Sequence, residues 1–356
     1  MESLQSVFTA ERTTAFEGCG VYRQPGKLGG QAENVAVLNL VQFALLYHRG
    51  VFDKIIILRD LQGQGSLHPL LSLKIRPEDI LIVNRLDGVD VNNFIEPYLS
   101  AKFLPYLEFH VADHCNLNCK ACEHYSGLVK KPRFPNLKKF TQDFEQLHKF
   151  IDDIRVIRIL GGEPLLNTEI NSYVELSRRL YPKAIIYVVT NALLLQKMPE
   201  DFFETLNRCG ALIHISFYLP LEEKMPEILK LLEDKKVRYS VSPLNKTFTM
   251  KQTFQPHDKP QEIFAQCFQA HCNNLYEGKI ASCFLPFTTK YFNKYYNKNL
   301  PESGAIDLYD ENLTTEKLKR HLLTSFERCR YCNLPVDVEW KRIAKPSPLS
   351  DWVTDA

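Results

Sequence analysis

The chain has 356 residues, 45% apolar and 24% charged, with 44 Lys and Arg against 42 Asp and Glu. At about 150 residues per domain this suggests two or three domains, and the apolar share excludes a disordered or collagen-like chain. A net charge of +2 argues against a general binder of nucleic acid or anionic membrane, no apolar run is long enough to span a bilayer, and the opening MESLQSVFTAERTT lacks a secretory signal, so a cytoplasmic protein is expected.

Residues 1–100 read as a small α/β unit. Gly29 and Gly30 precede a run with helical spacing at Val35, Val37, Leu38, Val41, Leu45 and Leu46. Two β-like runs follow at 54–58 and 79–83, then a helix around 91–100. This is a Rossmann-like pattern without the GxGxxG fingerprint, so a docking appendage is as good a reading as a nucleotide site.

Residues 101–255 alternate strand and helix. Strands are expected at 105–113, 155–160, 184–190, 211–218 and 237–242, with a sixth near 247–254. Helices are expected at 141–152 with Thr141 as N-cap, at 167–180 with Asn167 as cap, at 199–207 and at 221–234. Such alternation predicts a parallel sheet with helices outside, here an α/β partial (β/α)6 TIM-like barrel whose mouth lies at the strand C-termini. Residues 256–356 differ: they carry a hairpin-like LYEGKIASC, the basic aromatic stretch KYFNKYYNKN, a helix near 315–324 and five cysteines, and read as a small metal-stapled domain.

The ten cysteines are unevenly placed. Cys19 and Cys209 stand alone and suit packed thiols. Cys115, Cys119 and Cys122 form a CxxxCxxC directly after the first barrel strand. Three thiolates are one too few for a closed structural zinc site. Thiolate-only ligation suits an iron–sulfur cluster with one iron left open for chemistry. Gly161-Gly162-Glu163-Pro164 follows the second strand, and Thr190-Asn191 ends the third. Glycines permit close backbone approach, and a carboxylate suits an ammonium group. All three motifs fall at strand C-termini, the functional face of a barrel.

These motifs resemble those of the radical S-adenosylmethionine (radical SAM) superfamily. The resemblance covers about residues 103–255. It implies a [4Fe–4S] cluster on Cys115, Cys119 and Cys122, with SAM chelating the open iron and cleaved to a 5′-deoxyadenosyl radical. It implies SAM contacts from Gly161, Gly162, Glu163, Pro164, Thr190 and Asn191, with Ser216 as a further polar contact. One position departs from the common form: Ala121 stands before the third cysteine, where an aromatic residue is usual.

The second group is Cys267, Cys272, Cys283, Cys329 and Cys332. With Glu277-Gly278 as a two-residue turn, Tyr276 faces Lys279 and Cys272 faces Cys283. Cys329-Arg330-Tyr331-Cys332 is a CxxC knuckle. Read from Cys267, the spacing C-x10-G-x4-C resembles the opening of the SPASM or twitch extension of radical SAM enzymes, which implies an auxiliary [4Fe–4S] cluster. Five cysteines suffice for one cluster, with Cys267 or Cys272 left over as spare ligand, packed thiol or hydrogen-atom donor. A four-cysteine zinc ribbon is the alternative. His114, Glu123, His124, Tyr125, His214 and His271 are further candidates for pocket or supporting positions.

The loop CNLNCKACEHYSGL and the C-terminal pattern look like a group linked to polysaccharide assembly. That resemblance implies a sugar or nucleotide-sugar substrate, oxidised or epimerised, and a flavodoxin or ferredoxin-type electron donor. A peptide- or protein-modifying enzyme and a non-catalytic iron–sulfur or zinc protein are the other readings.

Overall fold

The computed structural model describes residues 55–58, 80–83, 99–343 and 346–355. The two short runs near the N-terminus form strands β1 (Ile55–Leu58) and β2 (Ile80–Val83), paired in parallel as an α/β unit requires. The helix expected after Gly30, and most of that expected at 91–100, lie outside the described residues.

The main body runs in chain order through β3 (Phe103–Ala112), α1 (Leu137–Phe150), β4 (Asp153–Gly161), α2 (Ile170–Leu180), β5 (Ile185–Thr190), α3 (Glu200–Cys209), β6 (Leu212–Ile215), α4 (Met225–Asp234) and β7 (Tyr239–Val241). The strands β3 to β7 pair in parallel and in sequence order. β3 is buried at nine of its ten positions, as a strand covered on both faces must be. Phe109 on β3 packs against Phe140 and Phe144 of α1, and Tyr173 of α2 closes the cluster. The apolar stripes of α1 to α4 face the sheet and bury its outer side.

The sixth barrel strand departs from expectation. A strand β8 (Thr247–Gln252) forms, but it pairs antiparallel with β12 (Cys332–Glu339) and not with β7. The sixth parallel strand is instead β9 (Asn274–Tyr276), which joins the opposite edge beside β3. β9 and β10 (Lys279–Ala281) form a hairpin, and β11 (Ile306–Asp307) extends the sheet beyond it. The hairpin register matches the expectation, with Tyr276 opposite Lys279. Glu277 and Gly278 both have positive φ, as a primed two-residue turn demands.

Three further helices, α5 (Pro260–Gln266), α6 (Leu285–Tyr296) and α7 (Thr315–Leu322), complete the chain. Leu275, Ile280, Leu308 and Leu318 pack into the same core as Leu107 and Ile159, so residues on both sides of position 255 share one core and one sheet. Within the KYFNKYYNKN stretch, α6 buries Phe292 completely. No helix among the described residues is long and apolar enough to cross a membrane.

Three helix starts were misplaced by the sequence pattern, among them that of α4, which begins at Met225 and not at 221, after a 3-10 turn over Leu219–Lys224. α1 begins four residues before Thr141, with Asn136 as N-cap accepting from the Lys139 N–H at 2.9 Å. The Thr141 hydroxyl donates back to the Leu137 carbonyl instead. α2 begins at Ile170, and Asn167 closes the turn before it by accepting from the Glu169 N–H.

Candidate SAM and iron–sulfur site

The C-terminal ends of β3 to β6 open onto one cavity of about 470 Å³, a size typical of small-molecule sites. Cys115, Cys119 and Cys122 line it together with Gly161, Gly162, Thr190, Asn191 and Ser216. Eight of the expected site residues are thus brought to one wall. The loop leaves β3 at Asp113 and folds back so that Leu117 N–H points at the Cys115 sulfur, 3.4 Å away. Ala121 sits at φ 56°, a left-handed backbone position between the second and third cysteines.

The glycine pair is required sterically. Gly161 has φ +143°, and a Cβ there would lie 2.1 Å from the Ala112 carbonyl oxygen. A Cβ on Gly162 would lie 2.2 Å from the His114 carbonyl oxygen. Gly162 N–H donates to the Ala112 carbonyl at 2.7 Å and Glu163 N–H to the His114 carbonyl at 3.1 Å. The end of β4 is thereby fixed to the root of the cysteine loop.

Glu163 and Pro164 do not line the cavity. Both are buried behind its wall, and Glu163 is fully buried. The Glu163 carboxylate accepts from the Thr190 hydroxyl at 2.6 Å, the Asn191 N–H at 2.8 Å and the Leu165 N–H at 3.1 Å. Burial pushes its pKa up to about 7, against these three hydrogen bonds, which favour the carboxylate. Through these bonds Glu163 holds Thr190 and Asn191 at the end of β5. Asn191 then donates to Asn116 Oδ1 at 2.7 Å and lies 3.7 Å from the Cys115 sulfur.

Burial holds the three thiols above their ordinary range, with Cys119 pushed up to about 12. Their ionised forms need a nearby positive charge such as a metal. Trp340 packs on Cys119, and its indole favours the thiolate there. The Trp340 ring stacks on Tyr218 with centroids 6.1 Å apart, and Phe248 meets Tyr218 edge-on at 5.5 Å. Tyr218 and Phe248 line the cavity, supplying an aromatic wall that Ala121 cannot.

The C-terminal segment straps this loop, a contact the sequence pattern did not announce. Lys120 N–H donates to the Lys341 carbonyl at 2.8 Å, Ala121 N–H to the Asp351 carbonyl at 3.0 Å, and Ile343 N–H to the Asn118 carbonyl at 2.7 Å. Trp352 packs against Tyr125, just beyond Cys122, with centroids 5.7 Å apart.

The floor of the cavity is polar. Tyr106 donates to Glu108 at 2.8 Å, Asn274 donates to Glu108 at 3.2 Å, and Arg158 donates to the Tyr106 hydroxyl at 3.3 Å. His214, hydrogen-bonded to Ser240, completes it, its pKa lowered to about 4 by burial and by Arg158. Glu123 and His124 also line the cavity. His114 lies outside it against Arg133, and Tyr125 is buried toward Gln252.

The second cysteine group separates into four and one. Cys267, Cys283, Cys329 and Cys332 line a small second cavity, whereas Cys272 faces the main one. Two cations border the second cavity. Lys251 lies 3.7 Å from the Cys267 sulfur and pairs with Glu123 at 3.2 Å. Arg328 is fully buried, 3.7 Å from the Cys332 sulfur, and donates to Gln252 and the Tyr331 carbonyl. Among the described residues no carboxylate lies within ion-pair distance of Arg328. A fully buried guanidinium without one is costly unless another anion faces it. The group facing it here is the Cys332 thiol. In neither group do three His, Cys, Asp or Glu side chains of the described residues converge closely enough to hold a single ion.

Residues 110–242 match the profile of the radical SAM superfamily. The chain is 32% identical over 106 residues to a GTP 3′,8-cyclase of Clostridium botulinum, covering 30% of this chain and 32% of that protein. It is 33% identical over 109 residues to a GTP 3′,8-cyclase of Lactiplantibacillus plantarum, covering 28% and 30%. The chain thus spans about a third of the length of the curated relatives it matches. Among solved structures, BtrN in complex with AdoMet and 2-DOIA is similar at 15% identity and TM-score 0.41, covering 65% of this chain and 94% of that one. The anSMEcpe structure with bound AdoMet and Cp18Cys peptide is similar at 19% identity and TM-score 0.31, covering 38% and 42%. Over residues 110–242, then, the chain is similar to the radical SAM superfamily.

Proposed function

We propose that the protein is a radical SAM enzyme with two iron–sulfur centres, acting on a small polar substrate of the sugar or nucleotide-sugar class by oxidation or epimerisation. The observation that carries this reading is the convergence of Cys115, Cys119 and Cys122 with Gly161, Gly162, Thr190 and Asn191 on one cavity. Three thiols at the rim of that cavity suit a [4Fe–4S] cluster with one open iron. Each thiolate then binds a different iron, so the sulfurs need not converge on one point as zinc would require. When bound, the cluster and SAM supply a 5′-deoxyadenosyl radical that abstracts hydrogen.

The protein's own residues bind and orient. Gly161 and Gly162 expose backbone to SAM, with Glu163 holding Thr190 and Asn191 in register behind them. Tyr218 and Phe248 offer the adenine an aromatic wall. The floor of Tyr106, Glu108, Arg158 and His214 provides paired donors and acceptors that suit vicinal hydroxyls. The names of the relatives raise a GTP cyclase as a second candidate. Among the described residues the cavity lining holds one guanidinium, Arg158, beside two carboxylates, Glu108 and Glu123. A triphosphate calls for several cations, so the lining favours a substrate with little charge.

The four thiols Cys267, Cys283, Cys329 and Cys332, faced by Lys251 and the buried Arg328, fit an auxiliary [4Fe–4S] centre of SPASM or twitch type. A flavodoxin or ferredoxin-type protein is the proposed electron donor. The test is anaerobic: reduced protein with SAM should release 5′-deoxyadenosine, and Cys119→Ala should abolish release. Full release by the variant would sink the assignment.

A further inference from the structure

Lys251 is the residue that joins the two metal sites. It projects from β8 into the wall between the two cavities and is 6% exposed. On one side its ammonium meets Glu123 at 3.2 Å and donates to Gln269, whose own amide donates to Glu123. Glu123 follows Cys122 directly, and both Glu123 and Gln269 line the main cavity. On the other side the same ammonium lies 3.7 Å from the Cys267 sulfur. Arg328 faces the same thiols from the far wall, through Cys332.

Reduction adds one negative charge to a metal centre. A cation fixed beside it in a low-dielectric interior favours the reduced form and so raises the potential. Lys251 is in such a place, and Glu123 holds it there. Resting on the proposed four-thiolate centre, we infer that Lys251, positioned by Glu123, sets the reduction potential of that second centre. It acts as a positioning residue through charge alone, without ligating iron. Glu123 works in the opposite sense, because its carboxylate partly cancels the ammonium.

The test is a redox titration followed by electron paramagnetic resonance on the anaerobic holoprotein. Wild type is compared with Lys251→Met, Lys251→Arg and Glu123→Gln. In Lys251→Met the reduced-to-oxidised ratio of the second centre, at a fixed potential, should fall at least tenfold, equivalent to 59 mV for a one-electron couple. Lys251→Arg, which keeps the charge, should stay near wild type. Glu123→Gln should move the ratio upward. A purely structural role would not produce opposite signs in the two neutralising variants. Should Lys251→Met lose the second centre, Glu123→Gln alone decides: an unmoved or lowered ratio overturns the inference. Two centres with an unmoved ratio in Lys251→Met overturn it as well. Wild type holding only the first centre overturns the second-centre reading, and this inference with it.

Discussion

Replacing Trp352 with Ala would loosen the strap that holds the first cysteine loop. Trp352 is 2% exposed and packs on Tyr125, three residues beyond Cys122. Its indole N–H donates to the Ser347 hydroxyl at 2.8 Å. The neighbouring Asp351 carbonyl accepts from Ala121 N–H at 3.0 Å, and Thr354 N–H donates to the Gln252 carbonyl at 2.8 Å. Truncating a buried Trp costs about 3–5 kcal/mol. The lost indole hydrogen bond adds about 1 kcal/mol. With about 2.1 cal/mol/K of unfolding entropy per residue, each kcal/mol lowers Tm of a 356-residue chain by about 1.3 °C, so a fall of roughly 5–8 °C is expected. Ala121 also loses support for its left-handed backbone, so iron at the first centre should pass faster to an added chelator. Anaerobic thermal denaturation and chelation kinetics read both effects. A Tm within about 2 °C of wild type, with unchanged iron release, would refute the strap.

Three further predictions concern the wall of the main cavity and the four-thiol cavity. Gly162→Ala places a Cβ 2.2 Å from the His114 carbonyl, and backbone there cannot yield cheaply; equilibrium binding should show SAM affinity lost by at least tenfold, and unchanged binding would contradict the close-approach argument. Glu163 holds a proton in the folded state that it releases in the unfolded state between about pH 4.5 and about 7, so its contribution to stability is present below that window and declines as pH rises through it. Urea titrations across pH 4.5–7 should show a shallower decline in Glu163→Gln than in wild type, and parallel curves would reject the assignment. Cys329→Ala should remove the second centre's iron whereas Cys272→Ala should retain it, since only Cys329 lines the four-thiol cavity; equal iron loss in both variants would return Cys272 to the ligand set.

Much of the site was legible because its motifs are local. The hairpin register followed from Glu277-Gly278, and the structure keeps it from Tyr276–Lys279 to Asn274–Ala281 but not as far as Cys272 and Cys283, which line different cavities. The glycine pair was legible for the same reason: only glycine tolerates the approach to Ala112 and His114. Non-local choices were not legible. Nothing within 247–254 indicates that β8 pairs with β12, because either edge would satisfy its backbone. The burial of Glu163 and its bonds to Thr190 and Asn191 on the next strand could not be read from the GGEP motif alone. The partition of the five late cysteines needed three dimensions, since Cys267 and Cys272 are five residues apart yet face different cavities. The strap from 340–355 carries no periodic signal, so its docking on the cysteine loop could not be read from its residues.

The central claim is two iron–sulfur centres on one chain. Its most direct test is anaerobic iron and sulfide quantitation with electron paramagnetic resonance, on wild type and on a Cys115/Cys119/Cys122 triple-alanine variant. The account predicts about eight irons in wild type and about four in the variant, with the remaining signal assigned to Cys267, Cys283, Cys329 and Cys332. About four irons in wild type, with zinc present and no iron in the variant, would contradict it and reduce the second site to a structural staple.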